Sequence, residues 1–251
     1  MPHPRTVNTY VSALGYIHRL AGVVDPSNFF IMEMLKGYGK VGLRLDTRLS
    51  ITVSILERIC TNCALVLDCE YIACMFRAMC STAFYAFMRI SEITASKQAS
   101  DVIRLSQITK LPNASGFIAS LKLTFHQFKH HYSQPPVSII ISRQPDVCPV
   151  ENLLRYFSLR GSVPGSLFQH LNGVPVTRTE FDEWLATVIT HCGLDSTKYK
   201  GHSFRIGAAS RAAACGYSDS QICLLGRWKS DAFKRYIRLS SFSHSSTFHQ
   251  S

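Results

Sequence analysis

His202 and Arg205 lie three residues apart in the stretch GHSFRIGAASRAAACG, residues 201–216. The small residues that follow them favour a closely packed helix, in which positions i and i+3 share one face. An imidazole and a guanidinium would therefore point toward the same place. A guanidinium can bind two oxygen atoms at once, and an imidazole can move a proton near neutral pH, so the pair suits a phosphate group. A polar helix start without any ligand is the simpler interpretation of these two residues.

Three further segments contain residues of related chemistry: YAFMRISEIT at 85–94, QFKHH at 127–131 and LGRWKSDAFKRYIR at 225–238. The first contains Arg89 and Glu92, and the last contains Trp228 and Tyr236. Taken singly, such an arginine is more often a cation at a helix end, and such aromatic residues more often belong to a core. The specific signal is the order along the chain: R-x-S-E, then H-x-x-R, then G-R-W and a tyrosine.

Together these motifs resemble the tyrosine recombinase (phage integrase) family over about residues 50–240. The resemblance is closest to the recombinases of DIRS-like eukaryotic retrotransposons, in which a run like GRWKSDAFKRYIR is typical. It implies a catalytic set of six residues: Arg89, Lys129, His202, Arg205, Trp228 and Tyr236. The lysine is assigned by its place at the end of a predicted strand, and Lys122 on the same strand is the alternative.

The resemblance also implies a mechanism that needs neither a metal ion nor ATP. Tyr236 would attack a DNA phosphodiester and form a covalent 3′-phosphotyrosine, and Lys129 would protonate the leaving sugar oxygen. Arg89 and Arg205 would clamp the phosphate, while His202 and the indole N–H of Trp228 would add donors. The sequence has no P-loop glycine motif and no carboxylate cluster suited to Mg²⁺, in agreement with this mechanism.

The charge of the chain is concentrated near its C-terminal end. The formal net charge is +11, and residues 195–251 alone contain nine basic and three acidic side chains. Such a concentration predicts a polyanionic partner, here double-stranded DNA, although a basic solvated face without a partner has the same composition. The predicted DNA-contacting residues flank the motifs: Lys198, Lys200, Arg227, Lys229, Lys234 and Arg235.

Two clusters raise the alternative of a metal site. Cys60 and Cys63 have zinc-like spacing, but no second pair follows at the distance of a zinc ribbon or finger. His126, His130 and His131 form the other cluster, on a strand and loop that the resemblance places beside DNA. We therefore predict no metal ligands, and we interpret most of the nine cysteines as small, reduced core residues.

The elements that must position these residues follow from hydrophobic periodicity. Residues 106–109, 116–125 and 136–142 favour strands, the last two joined as a hairpin, and residues 37–48 favour a linker. Helices are predicted at 8–20, 27–36, 49–64, 68–87, 149–160, 179–191, 203–215, 218–226 and 230–239. The fold class is α+β, mainly helical, with a small antiparallel sheet. By resemblance, residues 1–45 match part of a helical core-binding domain and residues 46–251 the catalytic domain.

The sequence contains no apolar run of the ~18 residues needed to span a membrane, and its first residues have no signal-peptide core. We therefore expect a soluble intracellular protein, which would be nuclear if it belongs to a eukaryotic mobile element and cytoplasmic otherwise.

The function predicted from the resemblance is DNA cleavage and rejoining by a homo-multimer assembled on paired sites, for integration of a mobile element. Two alternatives remain at this point. One is a non-enzymatic DNA-binding protein that keeps the fold. The other is a type IB topoisomerase, which uses the same chemistry as a monomer.

Overall fold

A computed structural model describes residues 4–41, 47–95, 102–126, 135–228 and 231–237. The chain divides into two compact units, Met1–Thr47 and Arg48–Ser251, and the boundary predicted from the sequence lies between residues 45 and 46. No helix in the described part of the chain is long and apolar enough to cross a bilayer.

The first unit contains two helices, α1 (Pro4–Leu20) and α2 (Phe29–Val41). Asp25 organises the turn between them by accepting the backbone N–H of Ser27 at 2.8 Å and pairing with Arg19. The predicted linker at 37–48 is wrong in its first part, because α2 continues through Gly37 to Val41. A glycine costs only about 1 kcal/mol within a helix, so it does not by itself end one.

The second unit contains the remaining elements. Its helices are α3 (Val53–Val66), α4 (Glu70–Tyr85), α5 (Ile90–Ile93), α6 (Pro149–Arg160), α7 (Arg178–His191), α8 (Gly201–Ala214) and α9 (Asp219–Gly226). Short 3₁₀ turns occur at Leu105–Gln107 and Asp231–Tyr236. The second turn takes the place of the α-helix predicted at 230–239; the tighter i→i+3 turn is typical of such short helical segments.

Three antiparallel strands form the sheet in the order β1 (Ile108–Pro112), β2 (Ile118–Phe125) and β3 (Val137–Ser142). On β2 the side chains of Leu121, Leu123 and Phe125 are buried. Because neighbouring strand residues point to opposite faces, Lys122 lies on the other face, opposite Thr109 of β1. The predicted pairing of strands 116–125 and 136–142 is confirmed, and a third strand is present, but it begins at Ile108 because Leu105–Gln107 forms a 3₁₀ turn.

α4 is the central helix of the unit and packs against α3, α6 and α8. Its residues are buried on nearly every side, as the apolar sequence predicts. The main core joins these helices to the inner face of the sheet. A smaller second core, with Phe87, Ala208, Ala209 and Phe233 among its buried residues, lies behind the segment that ends at Tyr236.

α8 approaches the chain near Ile51 too closely for any side chain at Gly207. A Cβ atom at this position would lie 1.8 Å from the carbonyl oxygen of Ile51. The Ile51 amide in turn donates to the carbonyl of Ser203 at 3.1 Å, so the two segments are tied together. The small residues of α8 therefore let the helix pack closely, as its sequence indicates.

We expect Gly207→Ala to lower the free energy of unfolding by about 2 kcal/mol, because the methyl group must displace backbone rather than a flexible side chain. Urea denaturation measures the change. Gly37→Ala is the matched control: it also replaces a helical glycine, but nothing lies within 4 Å of the added methyl group. The control variant is expected to be as stable as the parent or slightly more stable. An unaffected Gly207→Ala variant would contradict the close approach.

Candidate active site

Five of the six residues predicted to be catalytic lie in the described part of the chain, and the structure brings them together. Arg89 begins α5, His202 and Arg205 lie on the first turns of α8, and Trp228 and Tyr236 follow α9. The sixth, Lys129, lies outside the described residues.

Arg205 is the most deeply buried member of this cluster, with 1% of its surface exposed. Its Nη1 donates to the carbonyl oxygen of Phe87 at 2.7 Å, and its Nη2 donates to that of Gly226 at 2.6 Å. Burial, and then the nearby charge of Arg89, lower the pKa of Arg205 to about 9. That value lies above neutral pH, so the guanidinium keeps its charge under physiological conditions.

The first of these carbonyl groups belongs to the C-terminal end of α4. Phe87 has a left-handed backbone with φ of 50°, and the amide of Met88 reaches back to the carbonyl of Ala83 at 2.9 Å. This is the Schellman arrangement, in which a left-handed residue normally filled by glycine ends the helix. It turns the Phe87 carbonyl toward Arg205, and a helix C-terminus carries partial negative charge that favours a cation.

α9 ends in the same way. Arg227 has φ of 53°, and the amide of Trp228 donates to the carbonyl of Cys223 at 3.0 Å. The Gly226 carbonyl, one residue before the turn, binds Arg205. Within the described chain, Phe87 and Arg227 are the two residues other than glycine with positive φ. Both lie at this site, each beside a helix end that Arg205 holds.

Glu92 links Arg89 to a second arginine. Its Oε1 accepts a hydrogen bond from Nη1 of Arg89 at 2.9 Å, and its Oε2 accepts one from Nη2 of Arg227 at 2.6 Å. The side chain of Arg89 is 23% exposed, whereas that of Glu92 is 8% exposed and that of Arg227 is 1% exposed. Arg89 is thus the arginine of this group that solvent reaches most readily.

The aromatic rings of Tyr236 and Trp228 cover Arg205. The ring centres of Tyr236 and Trp228 are 5.2 Å apart, and that of Tyr236 lies 4.8 Å from the His202 ring. The guanidinium carbon of Arg205 is 4.1 Å from the Trp228 ring, a cation–π distance, and 6.0 Å from that of Tyr236. Ser210 of α8 holds the Tyr236 segment by donating to its carbonyl at 3.1 Å.

Gly226 makes the position of the Trp228 ring possible. A Cβ atom at Gly226 would lie 1.6 Å from the ring, so only glycine leaves room for the indole to fold back over the end of α9. The same fold-back brings the indole onto Arg205.

The predicted DNA-contacting residues differ in their exposure. Four of them are exposed: Lys198, Lys200, Lys234 and Arg235. Two of these have weak surface ion pairs, Lys198 with an aspartate at 3.8 Å and Lys234 with another at 3.5 Å. Lys229 lies outside the described residues.

Arg227 departs from that group because its guanidinium points inward to Glu92. A direct contact between Arg227 and DNA would require this buried ion pair to open. The surface contact expected from the sequence therefore does not fit the position of the side chain.

Of the two candidate lysines, the structure describes Lys122 alone, together with the end of β2 at Phe125. Phe125, four residues before Lys129, packs its ring 4.1 Å from the guanidinium carbon of Arg227. The end of β2 therefore adjoins the arginine cluster. Lys122 lies on the opposite face of the sheet, paired with Thr109 and Ile140.

The metal hypotheses gain no support from the described residues. Cys60 and Cys63 are buried, and the Cys63 thiol contacts the carbonyl oxygens of Cys60 and Ala73. Burial raises the pKa of both thiols, which disfavours the thiolate form that binds zinc. No group of three potential metal ligands occurs among the residues that the structure describes. His130 and His131 lie outside those residues.

Sequence motifs do not show the backbone acceptors of the site. The carbonyl groups of Phe87 and Gly226 carry no residue-type signal, because any residue could supply them. Phe125 and Ser210 were also missed, since their roles come from contacts between segments distant in sequence. The two left-handed helix ends were missed as well, because Phe87 and Arg227 occupy positions where a glycine would have indicated the turn.

Several DNA-bound enzymes of known structure share this fold. The XerH site-specific recombinase bound to its difH substrate matches with a TM-score of 0.57 and 14% identity, over 77% of this chain and 52% of that one. The Tn1549 transposon integrase in complex with circular intermediate DNA matches with a TM-score of 0.58 and 13% identity, over 94% and 75%. A lambda integrase dimer bound to a COC′ core site matches with a TM-score of 0.55 and 15% identity, over 83% and 53%.

At these identities the comparisons define the fold, which is that of tyrosine recombinase catalytic domains. The predicted fold class is thus confirmed. The chain spans about half the length of the XerH and lambda integrase chains. No protein-family model matches the sequence, and no curated protein matches it.

We expect Arg205→Ala to lower the free energy of unfolding by about 3 kcal/mol, because two buried carbonyl oxygens lose a charged donor at about 1.5 kcal/mol each. Arg205→Lys should lose nearly as much, since a single ammonium group cannot span the Phe87 and Gly226 carbonyls. Arg178→Ala is the control, since it breaks an exposed ion pair with Asp182 and should cost about 0.5 kcal/mol or less. Chemical denaturation compares the three. An Arg205→Ala variant as stable as the parent would show that Arg205 does not hold the two helix ends.

Proposed function

We propose that this protein cleaves and rejoins DNA through a covalent bond between Tyr236 and a phosphate. One observation carries the proposal: three candidate residues surround the ring of Tyr236. Its centre lies 4.8 Å from the His202 ring centre, 5.2 Å from that of Trp228 and 6.0 Å from the guanidinium carbon of Arg205. The fold supports it, because the XerH, Tn1549 and lambda structures that share the fold are a recombinase and two integrases bound to DNA.

In the proposed step the phenolic oxygen of Tyr236 attacks phosphorus. One phosphorus–oxygen bond forms to the tyrosine, and the bond to the 5′ oxygen of the next nucleotide breaks. The electron pair of the broken bond stays on that oxygen, which takes a proton, and the phenol proton passes to His202. A phosphodiester replaces a phosphodiester, so attack by a 5′ hydroxyl group restores the DNA without an external energy source.

The arginines would stabilise the negative charge that develops on the two non-bridging oxygens of the phosphate. Arg89 is exposed enough to meet a phosphate at the protein surface, and Arg205 lies beneath the aromatic rings. Both are fixed before DNA arrives, Arg89 by Glu92 and Arg205 by two carbonyl groups. Donors that are already oriented need no reorganisation during the reaction, which is the main source of electrostatic catalysis.

We assign the proton for the leaving oxygen to Lys129. Phe125 lies four residues earlier in the sequence and contacts Arg227, so the described end of β2 adjoins the cluster, which supports this assignment. Lys122 is the weaker candidate because it lies on the outer face of the sheet.

DNA outside the cleaved phosphate would contact the exposed cations Lys198, Lys200, Lys234 and Arg235, together with Lys229. Lys200 precedes the first turn of α8, and the positive end of the helix dipole there favours an anion. The lambda integrase structure contains a dimer on DNA, which supports a homo-multimer for this chain as well. The N-terminal helices α1 and α2 would form part of a second, core-binding unit.

The finer proposal, that the protein belongs to a DIRS-like mobile element, depends on the GRWKSDAFKRYIR run. The proposed nuclear location depends on the same run, because it follows from a eukaryotic element. The Tn1549 integrase, a transposon protein of the same fold, supports a mobile-element function in the broader sense.

We expect a covalent protein–DNA adduct when the protein is incubated without metal on a nicked suicide substrate, as seen on a denaturing gel. Tyr236→Phe should abolish the adduct, because the nucleophilic oxygen is gone, while the dissociation constant for DNA changes by about twofold or less. A wild-type protein that binds cognate DNA without forming any adduct would favour the non-enzymatic alternative. Relaxation of supercoiled plasmid by monomers at random sites would favour the topoisomerase alternative.

We expect Lys129→Ala to slow cleavage by about a hundredfold, the usual contribution of a general acid. A substrate with a 5′-bridging sulfur atom should restore the rate of this variant, because a thiolate leaves without protonation. Lys122→Ala is the matched control and should cleave both substrates at the parental rate. The reverse pattern would move the assignment to Lys122.

A further inference from the structure

We propose that Arg227 is a positioning residue that keeps Arg89 available for the phosphate by sharing the charge of Glu92, and that it does not contact DNA. This inference rests on the proposed function. It assigns a role to the one predicted DNA-contacting residue whose side chain is buried in the described structure.

The geometry of Arg227 connects three separate segments. Its Nη2 pairs with Glu92 of α5 at 2.6 Å, and its Nη1 lies 3.4 Å from the carbonyl oxygen of Ala86 at the end of α4. Its guanidinium carbon lies over the ring of Phe125 at the end of β2, 4.1 Å from the ring centre. A single side chain thereby fixes the helix that begins at Arg89, the helix end that binds Arg205, and the strand that precedes Lys129.

The backbone conformation of Arg227 indicates that its side chain makes contacts that glycine could not make. Its left-handed conformation costs a residue with a Cβ atom about 1 kcal/mol, and glycine would adopt it without that cost. Strain of this kind persists where surrounding contacts hold it, and it is concentrated at functional sites. At this position the ion pair with Glu92 and the contact with Phe125 supply those contacts.

Arg227 would act on Arg89 through the carboxylate of Glu92, to which both arginines bond. Glu92 is almost fully buried; its Oε1 accepts a hydrogen bond from the guanidinium of Arg89, and its Oε2 accepts one from the guanidinium of Arg227 and one from the backbone N–H of Arg89 at 2.9 Å. If Arg227 were removed, the buried carboxylate would keep Arg89 as its remaining cation in this network. A buried charge needs partners, so the guanidinium of Arg89, already bonded to Oε1, would also pair with Oε2 in place of Arg227 and would be drawn inward, away from the phosphate. With both arginines present, the single negative charge is shared, and Arg89 keeps net positive charge for the reaction.

The test compares Arg227→Gln with Arg155→Gln. Each replaces an arginine that pairs with a glutamate, but Arg155 pairs with Glu70 at 2.9 Å on the surface. Three quantities are measured: the single-turnover rate of adduct formation at saturating DNA, the dissociation constant over a range of KCl concentrations, and the rate at which phenylglyoxal modifies Arg89, read by peptide mass spectrometry.

We expect Arg227→Gln to slow adduct formation at least tenfold, with a change of about twofold or less in the dissociation constant and an unchanged salt slope. Phenylglyoxal should modify Arg89 more slowly in this variant than in the parent, because Arg89 moves onto Glu92. A loss of local structure would have the opposite effect and make Arg89 react faster. Arg227→Lys should recover part of the cleavage rate, and Arg155→Gln should match the parent in all three measurements.

Two further variants keep the test decisive. Arg227→Gly removes the side chain and the backbone strain together, so it should remain folded and still show the slow cleavage. Glu92→Gln combined with Arg227→Gln should lose less than the sum of the two single losses, because both partners of the buried pair are gone.

The inference would be overturned by an Arg227→Gln variant with a parental saturating rate, a raised dissociation constant and a salt slope reduced by about one, which is the signature of a phosphate contact. Parental behaviour in all three measurements would also overturn it, as would faster modification of Arg89. If the parent protein forms no adduct, the proposed function fails, whereas the modification of Arg89 still tests the role of Arg227.

Discussion

The site depends on the burial of one positive charge. Arg205 lies inside the protein, and two carbonyl oxygens at the C-terminal ends of α4 and α9 satisfy part of its guanidinium. A buried cation is unfavourable unless acceptors surround it, and helix ends are among the few backbone features that supply concentrated negative charge. The fold therefore has to bring two helix ends to the same point. Once it does, the residues that follow those helices, Arg89 after α4 and Trp228 after α9, are near one another.

The left-handed turns follow from the same requirement. Each helix has to stop abruptly and turn its last carbonyl groups toward α8, which the Schellman arrangement achieves. Phe87 and Arg227 occupy the positions where glycine would be unstrained. Phe87 instead packs into the second core and against Trp228, and Arg227 reaches Glu92. The strain at these two positions is thus offset by contacts that only a side chain can make.

Sequence alone predicted much of the fold, because periodicity defines elements whose buried faces are long. α4 and the β2–β3 pair are examples, with apolar runs that leave little choice of structure. The sequence-based prediction was wrong where a few residues set the backbone conformation. Examples are Gly37, which lies inside α2, and the 3₁₀ turn that ends at Tyr236. The set of candidate residues could be proposed from their types and order. Their electrostatics could not, because the burial of Arg227 and the bonds of Arg205 depend on contacts between α5, α8, α9 and β2.

The arginines and Tyr236 are held in place by different kinds of contact. Arg89 and Arg205 are held by ion pairs and by backbone acceptors, so their charges are fixed in place. Tyr236 is positioned differently, by the buried ring of Phe233 three residues earlier and by the bond from Ser210 to its carbonyl. Apolar packing thus places the phenol ring beside Arg205, 6.0 Å from its guanidinium carbon. The rings of Tyr236 and Trp228 cover the buried guanidinium of Arg205 and keep water away from it, so its positive charge is weakly screened.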